Sequence, residues 1–161
     1  MLKNLGDNRL IEIKLEDDAA RHQNPDVAQE RRIAVYDLLE NNYFCLKDGK
    51  AKGPYELCLK IADNSLIFEI QSKLDEGLLT IKLSMTPFRT LMKDYAHVCE
   101  SYFAAIKTAP RTRIEAIDMG RRALHDEGSH LLQERLKHTI TIDFDTARRL
   151  FTVVFTLHIR G

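Results

Sequence analysis

Apolar and polar residues alternate with a period of two in four segments of the first 85 residues, the pattern of half-buried β-strands. In the earliest segment we expect Ile11, Ile13 and Leu15 on the buried face. Short turn-forming sequences separate the last three segments, so we predict an antiparallel meander with one apolar and one polar face. The predicted strands span residues 10–15, 55–61, 66–71 and 78–83.

Helical spacing of apolar residues appears after the first strand and dominates the second half of the chain. Asn24 as N-cap and Pro25 as first residue predict a helix that runs to about residue 42. Thr86 followed by proline has the same cap-then-proline pattern and predicts the start of a second helix. Nine apolar residues then share one helical stripe. They are Phe88, Leu91, Met92, Tyr95, Val98, Cys99, Tyr102, Phe103 and Ile106.

Two further helices and a short strand complete the expected fold. Thr112 and Glu115 have the spacing of a capping box, and Gly128 inside the helix that follows indicates close packing or a break. We predict an edge strand at residues 139–142 and a helix at residues 144–159. The β-branched residues of the second segment leave a strand as the alternative there. We therefore predict one α+β domain over residues 1–161. An antiparallel sheet, made of a three-strand meander plus one or two edge strands, would pack against about four helices, concentrated in the C-terminal half.

The composition is that of a folded soluble domain and disfavours several classes of function. Lys plus Arg and Asp plus Glu are each 24, whereas proteins that bind nucleic acid through phosphates carry a basic excess. The longest uncharged apolar stretch has ten residues, too few to span a bilayer, and residues 1–7 hold no signal-peptide core. Three cysteines without a Cys-x-x-Cys pair indicate reduced thiols. We expect a cytoplasmic protein with no membrane or nucleic-acid partner.

The distribution of charge along the chain is more informative than its sum. Residues 1–85 hold 12 basic and 15 acidic side chains, whereas residues 86–161 hold 12 and 9. The first part has 8 Lys and 4 Arg, and the second has 3 Lys, 9 Arg and five of the six histidines. Because arginine presents a planar fork suited to carboxylate and phosphate, polar chemistry is expected on the helical half.

The densest ionisable cluster lies in the third predicted helix. At helical spacing Asp118 faces Arg121 and Arg122, Arg121 faces His125, and Arg122 faces Asp126. In a functional site the arginines would bind an anion and His125 would act as acid or base. The alternative is a ladder of intrahelical ion pairs on a solvated face, and on the residues alone we favour this ladder.

Two more arginines flank the start of the same helix. Arg111 and Arg113 lie where the helix dipole disfavours cations, so a carboxylate or phosphate bound there would offset the repulsion. The alternative is that both side chains extend into solvent. Glu127 completes the candidate surface for binding an anion or a partner.

The patterns for metals and cofactors are incomplete. Glu127-x-x-His130 and Asp94-x-x-His97 have the acid–histidine interval of di-iron helices, but the further carboxylates that such a site needs are not evident. Glycine-rich phosphate loops and Gly-x-Ser-x-Gly are absent from the sequence. Cys58 alone among the cysteines falls on the polar face of a strand. We expect no metal and no cofactor.

Four segments of the helical half carry a resemblance to a known family. They read T-P-F-R at residues 86–89, I-E-A-I-D-M-G-R-R at 114–122, L-H-x-E-G-S at 124–129 and D-F-D-T-A-R-R-L-F at 143–151. The chain resembles the small alphaproteobacterial proteins of uncharacterised protein family 262 over nearly its whole length. The resemblance implies no activity or cofactor. His125 and the two neighbouring arginines match the family pattern, whereas His130 departs from it.

Two hypotheses follow. The preferred one is a non-enzymatic binding or regulatory module, forming a homodimer, whose Arg/His-rich helical face takes an anionic ligand or an acidic protein segment. The alternative is a small hydrolase or transferase acting on a phosphorylated or carboxylated metabolite. In that enzyme Arg121 and Arg122 would clamp the anion and His125 would transfer the proton, which requires a concave site containing all three side chains.

Overall fold

The computed structural model describes residues 7–16, 25–47, 51–75 and 77–158, which form two sheets and four helices. The architecture is α+β, as predicted, with helices mostly in the C-terminal half. In chain order the elements are β1 (Leu10–Glu16), α1 (Pro25–Glu40), β2 (Phe44–Leu46), β3 (Tyr55–Ala62), β4 (Ser65–Ser72), β5 (Leu78–Ser84), α2 (Thr86–Thr108), α3 (Arg111–Leu136), β6 (Ile140–Ile142) and α4 (Phe144–His158).

The main sheet has the order β1-β3-β4-β5 and contains the predicted meander. Asp63 and Asn64 turn the chain between β3 and β4 with φ values of 52° and 60°, the left-handed geometry that tight hairpins need and that these residue types tolerate. The expectation of a wholly antiparallel sheet was wrong at one edge, because β1 pairs parallel to β3. A parallel pair needs a long crossover, and the segment containing α1 supplies it.

The register of β1 shifts near its start. Leu10 is fully buried, whereas Ile11 is 36% exposed, so the prediction that Ile11 faces the core was wrong. The pairing with β3 is irregular between Leu10 and Glu12, and this irregularity changes which side chains face inward. Ile13 and Leu15 are partly buried against the core, as predicted.

The second sheet is small and joins distant parts of the chain. β2 pairs antiparallel with β6, so the strand predicted near residue 140 belongs to this separate sheet and not to the edge of the main one. β2 itself was not predicted. Three residues are too few for periodicity to distinguish a strand from a loop.

The helices occupy the predicted segments, but two of the predicted caps were wrong. The N-cap of α2 is Met85, because the hydroxyl of Thr86 instead accepts a hydrogen bond from Asn64 Nδ2 at 3.0 Å. The N-cap of α3 is Pro110, and no side chain of the Thr112 capping box caps this helix. Asn24, the predicted cap of α1, lies outside the described residues.

The two open questions about the later helices are settled by the structure. α3 continues without a break through Gly128, and residues 144–158 form a helix rather than a strand. Asp143 caps α4, since its Oδ1 accepts a hydrogen bond from the backbone N–H of Thr146 at 2.9 Å. This bond satisfies one of the free donors at the start of the helix.

The core lies between the apolar face of the main sheet and the helices, with α4 among its most buried elements. The predicted apolar stripe of α2 is buried only over its first part, because Phe103 and Ile106 are 52% and 48% exposed. The fully buried side chains with the largest volume are Tyr55, Phe44, Phe68, Phe88, Phe151, Leu10, Leu38, Leu57, Leu59, Leu66, Ile70 and Met92.

Candidate functional site

A cleft of about 470 Å³ opens between α1, α3 and α4. α4 packs against α1 on one side and α3 on the other, so it forms the floor, and the two other helices form the walls. The lining residues recur at helical spacing on each helix, and one residue of α2 joins them. They are Glu30, Ile33, Ala34 and Asp37 of α1, Tyr95 of α2, Arg121, Arg122 and His125 of α3, and Asp145, Arg148, Arg149 and Thr152 of α4.

Close contacts position the floor against both walls. A Cβ atom added at Gly128 would lie 2.3 Å from the Phe151 ring, so the glycine lets α3 approach α4. On the other side, Arg31 of α1 donates a hydrogen bond to the carbonyl oxygen of Thr156 at 2.8 Å. Gly128 is therefore a site of close helix packing between α3 and α4, and it does not break α3.

His125 lies at the bottom of the α3 wall, among aromatic rings. Its ring centroid is 5.2 Å from that of Phe151 and 5.6 Å from that of Tyr95. Nε2 lies 2.7 Å from Thr152 Oγ1, and that hydroxyl donates to the carbonyl oxygen of Arg148. When the hydroxyl keeps this bond, it accepts from Nε2–H, and in either tautomer Nδ1 is buried and has no partner among the described residues.

The protonation state of His125 follows from these surroundings. Burial, reinforced by the charge of Arg148, lowers the pKa of His125 to about 4. Desolvation penalises the charged imidazolium, and a second proton would place an unsatisfied N–H donor at Nδ1. His125 is therefore a neutral residue near pH 7.

Asp118 joins the two arginines of the α3 wall, as the helical spacing predicted. Its carboxylate oxygens lie 3.1 Å from Arg121 Nε and 3.0 Å from Arg122 Nε. These pairs, with Arg121 first, hold the pKa of Asp118 below its usual range. The Arg121 guanidinium also lies 4.3 Å from the centroid of the Tyr102 ring, a cation–π contact. Arg121 is thus fixed in position from two directions.

The sequence predictions missed the arginines of the floor and the carboxylates of α1. Arg148 pairs with Asp126 at 3.4 Å, so the predicted pairing of Asp126 with Arg122 was wrong. Arg149 donates from Nη1 to the carbonyl oxygen of Asn41 at 2.9 Å. The adjacent arginines of α4 were visible in the sequence, but only the packing of α4 brings them to Arg121 and Arg122.

Three sequence candidates lie elsewhere. The side chain of Arg111 is 90% exposed and lies 3.9 Å from Glu115, one turn along the same helix. Arg113 is also exposed near the start of α3. Glu127 lines a different surface groove, together with His130. The structure therefore brings Arg121, Arg122 and His125 together in a concave site, with Asp118 behind them, but it does not bring Arg111, Arg113 or Glu127 to that site.

In the described part of the chain, no residue of the two candidate metal patterns belongs to a group of three or more potential ligands. The ring of His130 stacks on that of Phe144, with centroids 4.3 Å apart. In the described ranges, one group of potential ligands comes together, on the polar face of the sheet: Glu16, Cys58 and Glu69. Lys60 Nζ lies 3.7 Å from both of these carboxylates. Burial and a hydrogen bond to Glu16 raise the pKa of Cys58 to about 11, so its thiol is protonated.

Together the fold and the site define an α+β domain with a charged cleft between its helices. Residues 7–160 match the model of the Uncharacterised protein family (UPF0262), and the chain belongs to that family. The UPF0262 protein of Azorhizobium caulinodans is 51% identical over 155 residues, which cover 96% of each chain. That of Nitrobacter hamburgensis is 48% identical over 154 residues, or 96% of this chain and 93% of the relative.

The family description assigns no activity, so it adds no substrate or catalytic residue to the geometry. No solved structure matches this chain significantly. Within the part of the chain that the structure describes, the helices are too short or too polar to cross a membrane.

Proposed function

We propose that the protein is a non-enzymatic binding module that holds a small phosphorylated or carboxylated ligand in the cleft. The proposal rests on one observation: four arginines, at positions 121, 122, 148 and 149, line a single concave space of about 470 Å³. The guanidinium fork matches both anions in a bidentate manner. The volume lies within the range of roughly 300–1,000 Å³ typical of small-molecule sites, which favours a small ligand over an acidic protein segment.

The arginines retain donors for such a ligand. Each guanidinium has five N–H groups, and the contacts within the protein use only part of them. Arg122 contacts Asp118 through Nε, and its side chain is 72% exposed. Arg149 donates to the Asn41 carbonyl through Nη1. These contacts orient the two arginines and leave their other N–H groups available for an anion.

The geometry supports binding over catalysis. The enzyme alternative requires His125 to exchange a proton with a substrate. Its Nε2 is occupied by Thr152 and its Nδ1 is buried. A pKa of about 4 also leaves few protonated rings near pH 7 to serve as an acid. In this proposal His125 therefore packs and positions the wall of the cleft.

Amide NMR titration tests the proposal, with inorganic phosphate and succinate as separate probes. We expect shifts of amides in α3 and α4 around the four arginines. In the double variant Arg122→Gln/Arg149→Gln the dissociation constant should rise at least about tenfold, because each charge-assisted hydrogen bond contributes roughly 1.5–3 kcal/mol.

Arg135→Gln is the matched control, because Arg135 lies on an exposed turn of α3 that does not line the cleft. It should bind both probes as the wild type does. Equal losses in the control and the double variant would contradict the proposal. Binding of an Asp/Glu-rich peptide in place of both small anions would instead favour an acidic protein segment as the ligand.

A homodimer and a cytoplasmic location belong to the same proposal. Phe103 and Ile106 support self-association, since they lie one turn apart on α2 with half-exposed apolar side chains. Sedimentation equilibrium should give a dimer, and Phe103→Ser should shift the equilibrium towards the monomer. A wild-type chain that stays monomeric at high micromolar concentration would contradict the homodimer.

A further inference from the structure

The wall of the cleft formed by α1 is acidic. Glu30 and Asp37 lie two turns apart on the stripe that faces the cleft, with Ile33 and Ala34 between them. Glu30 is half-buried, and its burial raises its pKa, although the charge of Arg121 opposes that shift. Over the described ranges, no hydrogen bond or ion pair links either carboxylate to another residue. A half-buried carboxylate without a partner is costly, so this wall has unused capacity to accept hydrogen bonds.

The opposite wall and the floor are basic, but their charges do not pair with α1. Arg121 and Arg122 pair with Asp118 on their own helix, and Arg148 pairs with Asp126. Asp118 and Asp126 do not line the cleft. Opposite charges therefore face each other across the cleft without contact, in the part of the molecule that the structure describes.

This separation of charge restricts the ligand. A compact polyanion would satisfy the arginines but would be repelled by Glu30, Asp37 and the third lining carboxylate, Asp145. A ligand with an anionic end and an ammonium end would pair with both walls at once. Its ammonium group could donate charge-assisted hydrogen bonds to Glu30, which has no other partner in the described structure.

We infer that the cleft takes a small zwitterion, with a phosphate or carboxylate held by the arginines and an ammonium group held by Glu30. Asp37, about 10 Å further along α1, adds negative potential to the same wall. This inference rests on the proposed function, because the arginines must bind the anionic end. It adds that the acidic wall selects among anions by requiring a positive group at the other end of the molecule.

Two matched pairs of probes test the inference by NMR titration. Phosphoethanolamine and ethyl phosphate differ by one ammonium group, and so do γ-aminobutyrate and butyrate. We expect the zwitterion to bind wild-type protein at least about tenfold more tightly than its matched anion in one pair or both. If one pair alone shows the difference, it identifies the anionic group as phosphate or carboxylate, and if both pairs show it, the arginines accept either group.

The variant Glu30→Gln should remove this preference. The affinity for the zwitterion should fall to that for the matched anion, and the affinity for the anion should stay the same or increase. Glu40→Gln is the matched control, because Glu40 is exposed at the end of the same helix and does not line the cleft. It should keep the preference.

Equal binding of both members of each pair by the wild type would overturn the inference and leave the proposed function intact. A preference that survives in Glu30→Gln would also overturn it. If none of the four probes binds, the zwitterion is wrong, and the separate titrations with inorganic phosphate and succinate decide whether the proposed function fails too.

Discussion

The polar face of the sheet and the helical cleft both collect carboxylates and cations, but they differ in shape and in pairing. On the sheet, Lys60 lies between Glu16 and Glu69 at 3.7 Å from each. In the cleft, Glu30 and Asp37 have no partner in the described structure. Arg121 and Arg122 pair with Asp118, which does not line the cleft. Exposed pairs on an open face contribute little, whereas unpaired charges in a concave space can bind a ligand.

A cluster of charged residues is not by itself a binding site. The sheet cluster includes a cysteine and two carboxylates whose ligand atoms lie within 4.8 Å of one another, yet one ammonium group already pairs with both carboxylates. The cleft residues are more dispersed along the sequence, and the carboxylates of α1 have no such pair in the described structure. Direct pairing of charge, more than density of charge, separates the two regions.

The largest expected effect comes from disturbing the packing that shapes the cleft. In Gly128→Ala the new Cβ would lie 2.3 Å from the fully buried Phe151 ring. We expect the free energy of unfolding, measured by urea denaturation, to fall by about 2–3 kcal/mol. Gly120→Ala is the control, since its Cβ would meet Val98 at an ordinary 3.9 Å and alanine favours the helix by up to ~1 kcal/mol. Equal stability changes in the two variants would contradict this account of α3–α4 packing.

The next effect is the dependence of stability on pH from the buried histidine of the cleft. The pKa of His125 is about 4 in the folded protein and about 6.5 as a free side chain. Because the unfolded chain takes up the proton first, the stability contribution is complete above pH 6.5 and is lost as the pH falls towards 4. At about 1.4 kcal/mol per pKa unit, and allowing for partial exposure, the loss should be roughly 1–3 kcal/mol.

Urea denaturation of His125→Gln across the range from pH 7 to pH 4 checks this assignment. The variant should show a flatter decline of stability than the wild type, because glutamine does not titrate. His97→Gln, on the exposed face of α2, is the control and should decline as the wild type does. Parallel curves for all three proteins would mean that His125 is not the buried titrating group.

The smallest effect is expected on the sheet. Lys60→Met removes the ammonium group between Glu16 and Glu69, and we expect the free energy of unfolding to fall by less than about 1 kcal/mol. The difference from the wild type should shrink in high salt, since exposed charges are screened. A loss above 2 kcal/mol that salt does not reduce would show that the sheet cluster is more than a solvated network.

The elements that were predictable from the sequence are those set by local pattern. The β3–β5 meander, the apolar start of α2 and the Asp118 pairs all arise from residues a few positions apart. The predicted caps at Thr86 and Thr112 show the limit of predictions from local motifs. The Thr86 hydroxyl accepts a hydrogen bond from Asn64, and Pro110 occupies the N-cap position of α3. A local motif predicts a contact only where no other part of the molecule competes for it.

By itself, the sequence determined the α+β class, most element positions and the arginine-rich character of the helical half. Only the tertiary structure decided that β1 runs parallel to β3, that β2 pairs with β6, and that α4 lies between α1 and α3. The reason is physical. Periodicity reports which face of an element is apolar, but not which distant element covers it. The cleft depends on three such long-range choices, and they bring Glu30, Arg121 and Arg149 around one space.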